Sequence, residues 1–293
     1  MNVDSVFYQG STHPICQDYA TVHSNDAGAF AFLADGCSGS PHTDFGARFL
    51  VHSAMQVSNQ TQDTLKRTPS LFCDQEFALR AALFADRYRV AVGLSSQSID
   101  ATLLGLFSQD DLIYAFMYGD GCLVIGYGDE SYDFYTTEYG MGYPNYPSYA
   151  VDLRRRDDFI KQSNDDVVIK KCHIDPDGVV TTLGGSDNFN SKIRSSAEET
   201  EDITSPTTFL FRKTEDIKFV AMTSDGIETF YRPEVKETST TNIHIPAEEV
   251  IRKMFPFKNF QGVFLQRRLQ RFVRDTLREG WRHEDDLSVI AMG

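Results

Sequence analysis

Positive charge is what this sequence has least of: 28 Lys and Arg stand against 42 Asp and Glu, for a formal net charge of -14. A chain so acidic offers no general surface to nucleic acid or to an anionic membrane. Arg154-Arg155-Arg156 and the basic segment 267–282 are local exceptions, and the second reads as a solvated helix face. Long apolar runs are missing as well. None approaches the roughly 20 residues that span a bilayer, and the opening MNVDSVFYQG has neither a charged n-region nor an apolar h-region. A soluble, cytoplasmic protein is therefore expected, with no nucleic-acid and no membrane partner. Cysteine is sparse: Cys16, Cys37, Cys73, Cys122 and Cys172 lie far apart, with no C-x-x-C pair. That spacing points to neither a zinc site nor a disulfide framework, and reduced thiols fit a cytosolic compartment. No internal repeat or low-complexity tract is evident.

What is present is the composition of an ordinary globular protein. At 41% hydrophobic and 24% charged over 293 residues, it can bury a sizeable core in one large domain or two small ones. YATVHS, the turn Asn25-Asp26-Ala27-Gly28 and AFAFLA read as a hairpin. Helices are expected over 44–58 and 74–92; in the second, Phe77, Leu83, Phe84 and Tyr88 recur on one face. Three strands follow, ATLLGLF, DLIYAFMYG and CLVIGYG. The stretch 138–201 is expected to be irregular or mobile, broken by the strand DVVIKKCHI. TTFLFRK and IKFVAMTSDG restore strand character, and helices over 247–254 and 263–279 precede a last strand, LSVIAM. This order predicts an α+β layered domain, antiparallel sheet with helices packed outside it.

The stretch FLADGCSGSPHTDFGARF raises the functional question. An apolar strand ends on Asp35-Gly36, passes through a small-residue loop, and reaches helix-start chemistry at Thr43-Asp44. Alone, Asp-Gly is a common turn dipeptide. The same pattern recurs, however. Asp225 ends a strand as AMTSDG, Asp285-Asp286 starts the last strand, Gln17-Asp18 starts the first hairpin, and Asp120 sits in the turn YGDG. Acids at strand ends can converge on one rim of a sheet from distant parts of the chain. Hard divalent cations want such oxygens, and Mg²⁺ or Mn²⁺ keeps several waters besides. A glycine beside an acid also leaves its carbonyl free to approach an ion.

With GSTHPICQDYATV, AFLADGCSGSPHTDFGARF, ATLLGLF and IYAFMYGDGCLVI, FVAMTSDGIETF and HEDDLSVIAM in this order, the sequence resembles the metal-dependent Ser/Thr protein phosphatases (PPM, or type 2C), in their bacterial branch. The resemblance implies a four-layer αββα sandwich, two antiparallel sheets flanked by helices, as a single domain over 1–293 with a variable flap around 138–201. It implies two Mg²⁺ or Mn²⁺ ions: Asp35 bridging them, the Gly36 carbonyl reaching the second, Asp225 and Asp285 holding the first, and Asp18 acting near the second through water. Asp120 matches the acid at a looser third ion. A phosphorylated protein would be the substrate, with a cognate Ser/Thr kinase system as the counterpart and a monomer as the working form. Two ions about 3.5–4 Å apart would activate a bridging water for direct attack on phosphorus. No covalent intermediate is implied, so Cys16 and Cys37 read as packed residues.

The sequence departs from the family pattern in places. Gln17 replaces a frequent Glu, which weakens the second ion's place. His13 stands where many members have a phosphate-binding Arg; it either binds phosphate when protonated or is structural. Cys37 occupies a place where some members carry a general-acid His, and His42 is the nearest substitute; a loop His also simply caps or packs. Gly46 and Arg48 are assigned to helix packing and loop support. Asp187 and the stretch 138–149 either choose substrate or form an aromatic surface loop. Three functions compete: an active phosphatase, a pseudophosphatase serving as a binding module, and an unrelated hydrolase of small phosphate esters.

Overall fold

The structure, a computed structural model, describes residues 1–73, 75–139, 144–162, 167–185, 206–213, 216–236 and 239–293. In chain order its elements begin with β1 (Val3–Tyr8), β2 (Tyr19–Asn25), β3 (Gly28–Ala34), α1 (Thr43–Gln60), α2 (Gln62–Arg67) and α3 (Gln75–Ala91). There follow β4 (Leu103–Gln109), β5 (Leu112–Tyr118), β6 (Gly121–Tyr127), β7 (Tyr132–Tyr139), α4 (Leu153–Gln162), β8 (Val167–Ile174) and β9 (Val180–Gly185). The last part holds β10 (Thr207–Arg212), β11 (Ile217–Thr223), β12 (Phe230–Lys236), β13 (Ser239–His244), α5 (Ala247–Met254), α6 (Phe264–Arg278), β14 (Arg282–His283) and β15 (Leu287–Met292).

Two antiparallel sheets carry the fold, β1-β15-β11-β6-β7-β8-β9 and β10-β5-β4-β3-β2; a small third sheet is β13-β12-β14. Side chains alternate along each strand, and here both faces are covered. In β3, Ala31 and Leu33 meet Leu123, Ile125, Val220 and Met222 of the facing sheet. Phe30, Phe32 and Ala34 turn the other way, onto Ala47, Leu50 and Ala54 of α1 and Ala78, Ala81 and Ala85 of α3. In β15, Ile290 and Met292 face inward, while Leu287, Val289 and Ala291 pack with Val250 and Ile251 of α5 and Leu265 and Leu269 of α6. The result is the expected helix–sheet–sheet–helix stack. It also explains why AFAFLA and LSVIAM are unbroken apolar runs: neither face of those strands meets water.

Of the stretch 138–201, residues 138–139, 144–162 and 167–185 are described: the expected strand DVVIKKCHI is there as β8, and α4 and β9 add regular structure where irregularity was expected. β7 and β8 pair from Tyr132↔Ile174 to Tyr139↔Val167, β9 extends the sheet, and α4 lies between. Polar residues alternate here with β-branched and aromatic ones, a pattern that suits an edge region and hides strands behind charge. Of the two readings of 138–149, the aromatic surface loop does not hold for Tyr146 and Tyr149. Tyr146 and Tyr149 are buried with Phe159 in a separate apolar cluster, against which Cys37 and Tyr139 pack. Asp187 lies outside the described residues. No helix among them is long and apolar enough to cross a membrane.

Candidate active site

Strand register gathers the acids. Tyr19↔Ala34 is the pair at one end of the β2–β3 ladder, so Asp18 and Asp35 flank the same exit. Cys122↔Thr223 closes the β6–β11 ladder and Thr223↔Val289 the β11–β15 ladder. Asp120, Asp225 and Asp285 therefore all leave the seven-stranded sheet at one end. There Asp225 opens a 3-10 turn, Asp225–Glu228. Gly226 is required for packing, since a Cβ would strike the Asp286 backbone. Gly36 has a similar reason: its Cβ position lies 2.8 Å from the Thr43 carbonyl and 2.9 Å from that of Gln17.

Asp225 is the hub, its charge acting on Asp18, Asp35, Asp120 and Asp285. Burial pushes the Asp18 carboxyl up to about 7, against the hydrogen bond that Ser224 donates to its Oδ2 at 2.7 Å. Asp35 is driven well above the usual carboxylate range, first by burial and then by the charges of Asp18 and Asp225. Asp120 is pushed up to about 7 by burial, then by Asp225, Glu228 and Asp285. Asp285 rises for the same first two reasons. Asp18 Oδ1 and Asp225 Oδ1 are buried without a hydrogen-bond partner. A cleft of about 280 Å³ opens here, lined by Asp120, Asp225, Glu228, Tyr139 and Pro144.

Crowded carboxylates with orphaned oxygens are an arrangement that lacks positive charge. The donor set is all oxygen, which fits a hard divalent cation rather than zinc or copper. Among the described residues, no group of three or more His, Cys, Asp or Glu side chains is spaced to hold a metal ion.

The other expected residues divide. His13 joins the rim: its Nδ1 lies 3.0 Å from Asp286 Oδ2 and 3.4 Å from Asp285 Oδ1, without an aligned hydrogen bond. Gln17 donates its Nε2 to Thr43 Oγ1 at 3.0 Å, leaving Oε1 buried and unpartnered. His42 stays apart. It is the exposed residue before α1, in the left-handed region at φ 62°, and its side chain makes no hydrogen bond or ion pair with the acids among the described residues. Arg48 bonds the Asp44 carbonyl and lies over the Tyr19 ring, and Gly46 packs on Ser98, so both support α1. Burial pushes the Cys16 thiol up to about 12, which makes it a poor nucleophile.

Sequence reading missed three supports. Asp286 accepts the Gly10 N–H at 2.7 Å and the Gln17 N–H at 2.6 Å, pinning both ends of the loop that carries His13; the doubled acid in EDDLSV was its only trace. Ser224 orients Asp18. Thr102 accepts the Asp35 N–H through its hydroxyl and donates its own N–H to the Asp35 carbonyl.

A family model described as protein phosphatase 2C matches residues 11–274. No curated protein sequence gives a significant match. Among solved structures, a bacterial serine phosphatase superposes with a TM-score of 0.53 at 11% identity, over 99% of this chain and 96% of that one. The serine/threonine phosphatase Stp1 from Staphylococcus aureus gives 0.52 at 10% identity, over 99% and 94%. That of S. agalactiae gives 0.50 at 14%, over 99% and 97%. At such identities the likeness is one of fold.

Proposed function

Since the chain belongs to the protein phosphatase 2C family, a family of protein serine/threonine phosphatases, we propose that its acid rim is a two-ion Mg²⁺ or Mn²⁺ centre that hydrolyses phosphoserine and phosphothreonine. The observation that carries the reading is the set of acids around Asp225: Asp18, Asp35, Asp120 and Asp285 are raised first by burial and then by neighbouring charge, and two carboxylate oxygens, Asp18 Oδ1 and Asp225 Oδ1, are orphaned. Asp35 would serve both sites, Asp225 and Asp285 would hold the first, and the Gly36 carbonyl and Asp18 would serve the second. Asp120 faces a third. Bound there, the cations would neutralise phosphoryl oxygens and lower the pKa of water for attack on phosphorus.

The protein's own residues prepare that site. Asp18, Asp35 and Asp120 must give up protons before they can serve as ligands, so cation binding releases protons and strengthens as pH rises. Ser224 holds Asp18 by one oxygen and leaves the other facing the rim. His13, held beside Asp285 and Asp286, puts a protonatable ring at the edge of the cleft, where it can meet substrate phosphate. The substrate is a phosphoprotein, a Ser/Thr kinase that writes the same sites is its counterpart, and the cytoplasm is its setting.

Hydrolysis of a phosphothreonine peptide in Mn²⁺, followed by EDTA, tests the reading: turnover is expected with Mn²⁺ and none after chelation. The competing reading is a non-catalytic binding module, favoured by a Gln17 side chain already committed to Thr43. A folded protein without metal-dependent turnover on any phosphopeptide would establish it.

A further inference from the structure

Asp100 is a second buried carboxylate next to the rim, and nothing in the reaction uses it. It is 2% exposed. Arg155 of α4 donates Nη1 to Asp100 Oδ1 at 2.7 Å and Nη2 to Oδ2 at 2.6 Å. Ser148 donates to Oδ1 at 2.7 Å and Ser40 to Oδ2 at 2.9 Å. A planar fork on a carboxylate, with two hydroxyls on the remaining lone pairs, is the geometry in which a buried ion pair is fully satisfied.

The backbone on either side of Asp100 splints the catalytic loop. Cys37 donates its N–H to the Asp100 carbonyl at 2.9 Å, and Gly36 bridges to Ala101. Thr102 donates to the Asp35 carbonyl at 2.9 Å and accepts the Asp35 N–H at 3.0 Å. Residues 35–37 thus hang on residues 100–102. Arg155 reaches the splint from outside, and with Ser148 it draws the tyrosine cluster onto Cys37: Tyr149 lies under the guanidinium at 5.2 Å, and Tyr146 meets the Cys37 thiol.

We propose that Asp100 and Arg155 are positioning residues, an ion-pair latch that locks α4 and the tyrosine cluster against the Asp35–Gly36–Cys37 loop and so fixes the bridging carboxylate. The proposal rests on the phosphatase reading only for its effect on turnover; the latch itself is structural and can be read without activity. A loose loop leaves Asp35 bonded to the same neighbours but averaged over orientations, and misplacement of a ligand by even 1 Å costs about a hundredfold.

The test uses full-length Arg155→Met and Arg155→Lys, with peptide-resolved alkylation of Cys37 as the first readout. In the wild type Cys37 is expected to label slowly. Arg155→Met should raise its rate at least tenfold and lower kcat on p-nitrophenyl phosphate about tenfold with KM changed less than twofold. Arg155→Lys, which keeps the charge and loses the fork, should fall between. If Arg155→Met does not fold, Ser148→Ala, which removes one hydrogen bond to Asp100, should raise Cys37 labelling two- to fivefold. Unchanged Cys37 labelling in every folded variant overturns the latch, as does a kcat that stays at the wild-type value while the melting temperature alone drops. An inactive wild type whose Cys37 labelling still responds to Arg155→Met refutes the phosphatase reading and leaves the latch standing.

Discussion

Asp35 and Asp100 lie on opposite sides of one backbone bridge, Gly36↔Ala101, and their carboxyls are treated in opposite ways. Asp100 has a guanidinium fork and two hydroxyls. Asp35 has other carboxylates, those of Asp18 and Asp225. Burial of charge is costly in both places. Where the chain supplies a cation from itself, the acid is structural; where it supplies only more acid, the burden is met by bound protons or, on the proposed reading, by cations from outside. On that reading, the contrast separates a ligand from a strut.

The largest break in that contrast comes from Asp35→Asn. Turnover should fall about a thousandfold, the several kcal/mol that divalent cations contribute at a phosphoryl centre. In EDTA the same variant should melt no lower than the wild type, because a carboxyl driven above its ordinary range by burial and by its acidic neighbours has left the rim. Asp100→Asn should do the reverse. It leaves a half-buried Arg155 beside a neutral amide and should cost about 2–3 kcal/mol, read from denaturant unfolding with or without Mn²⁺.

A pH series sharpens the comparison. Asp18 and Asp120 titrate at about 7 when folded, against 3.8 as ordinary side chains. The folded chain therefore binds more protons than the unfolded one between those values, and metal-free stability should fall as pH rises from 4 to 7. Saturating Mn²⁺ should flatten or invert the slope, and a metal-free stability that climbs over this range would count against uncompensated acids. Smaller still is Asp120→Ala. It should lower kcat about tenfold, 1.4 kcal/mol, with less effect on the tighter metal sites measured calorimetrically. The smallest change is expected from His42→Asn, which tolerates the left-handed backbone: steady-state turnover should stay within twofold.

Much of this was legible in sequence because strand ends are. Asp35, Asp225 and Asp285 each border an apolar run that both sheets bury, so the acids and the layers announce each other. α5 lies at 247–254 as expected, and α6 within one residue of its expected ends. Of the arginines of α6, Arg267, Arg271, Arg274 and Arg278 are exposed, as a solvated face requires, while Arg268 is half-buried and donates to the Met254 carbonyl at 2.9 Å. The latch was not legible. Arg154-Arg155-Arg156 reads as surface charge, and nothing local says that the middle guanidinium turns inward to an aspartate 55 residues earlier. Asp100 likewise precedes an apolar strand just as a turn residue would. Pairings made across the tertiary fold leave no period in either partner. The sheet β13-β12-β14 escaped for a different reason, since STTNIH has neither apolar alternation nor a buried face to create it.

The most direct measurement is anomalous diffraction from crystals of the full chain soaked in Mn²⁺. Two strong peaks are expected, both within coordination distance of Asp35, one shared with Asp225 and Asp285 and the other with the Gly36 carbonyl, each completed by water. Peaks placed elsewhere, or a rim that stays free of manganese at millimolar concentration while its carboxyls still share protons, would contradict the account.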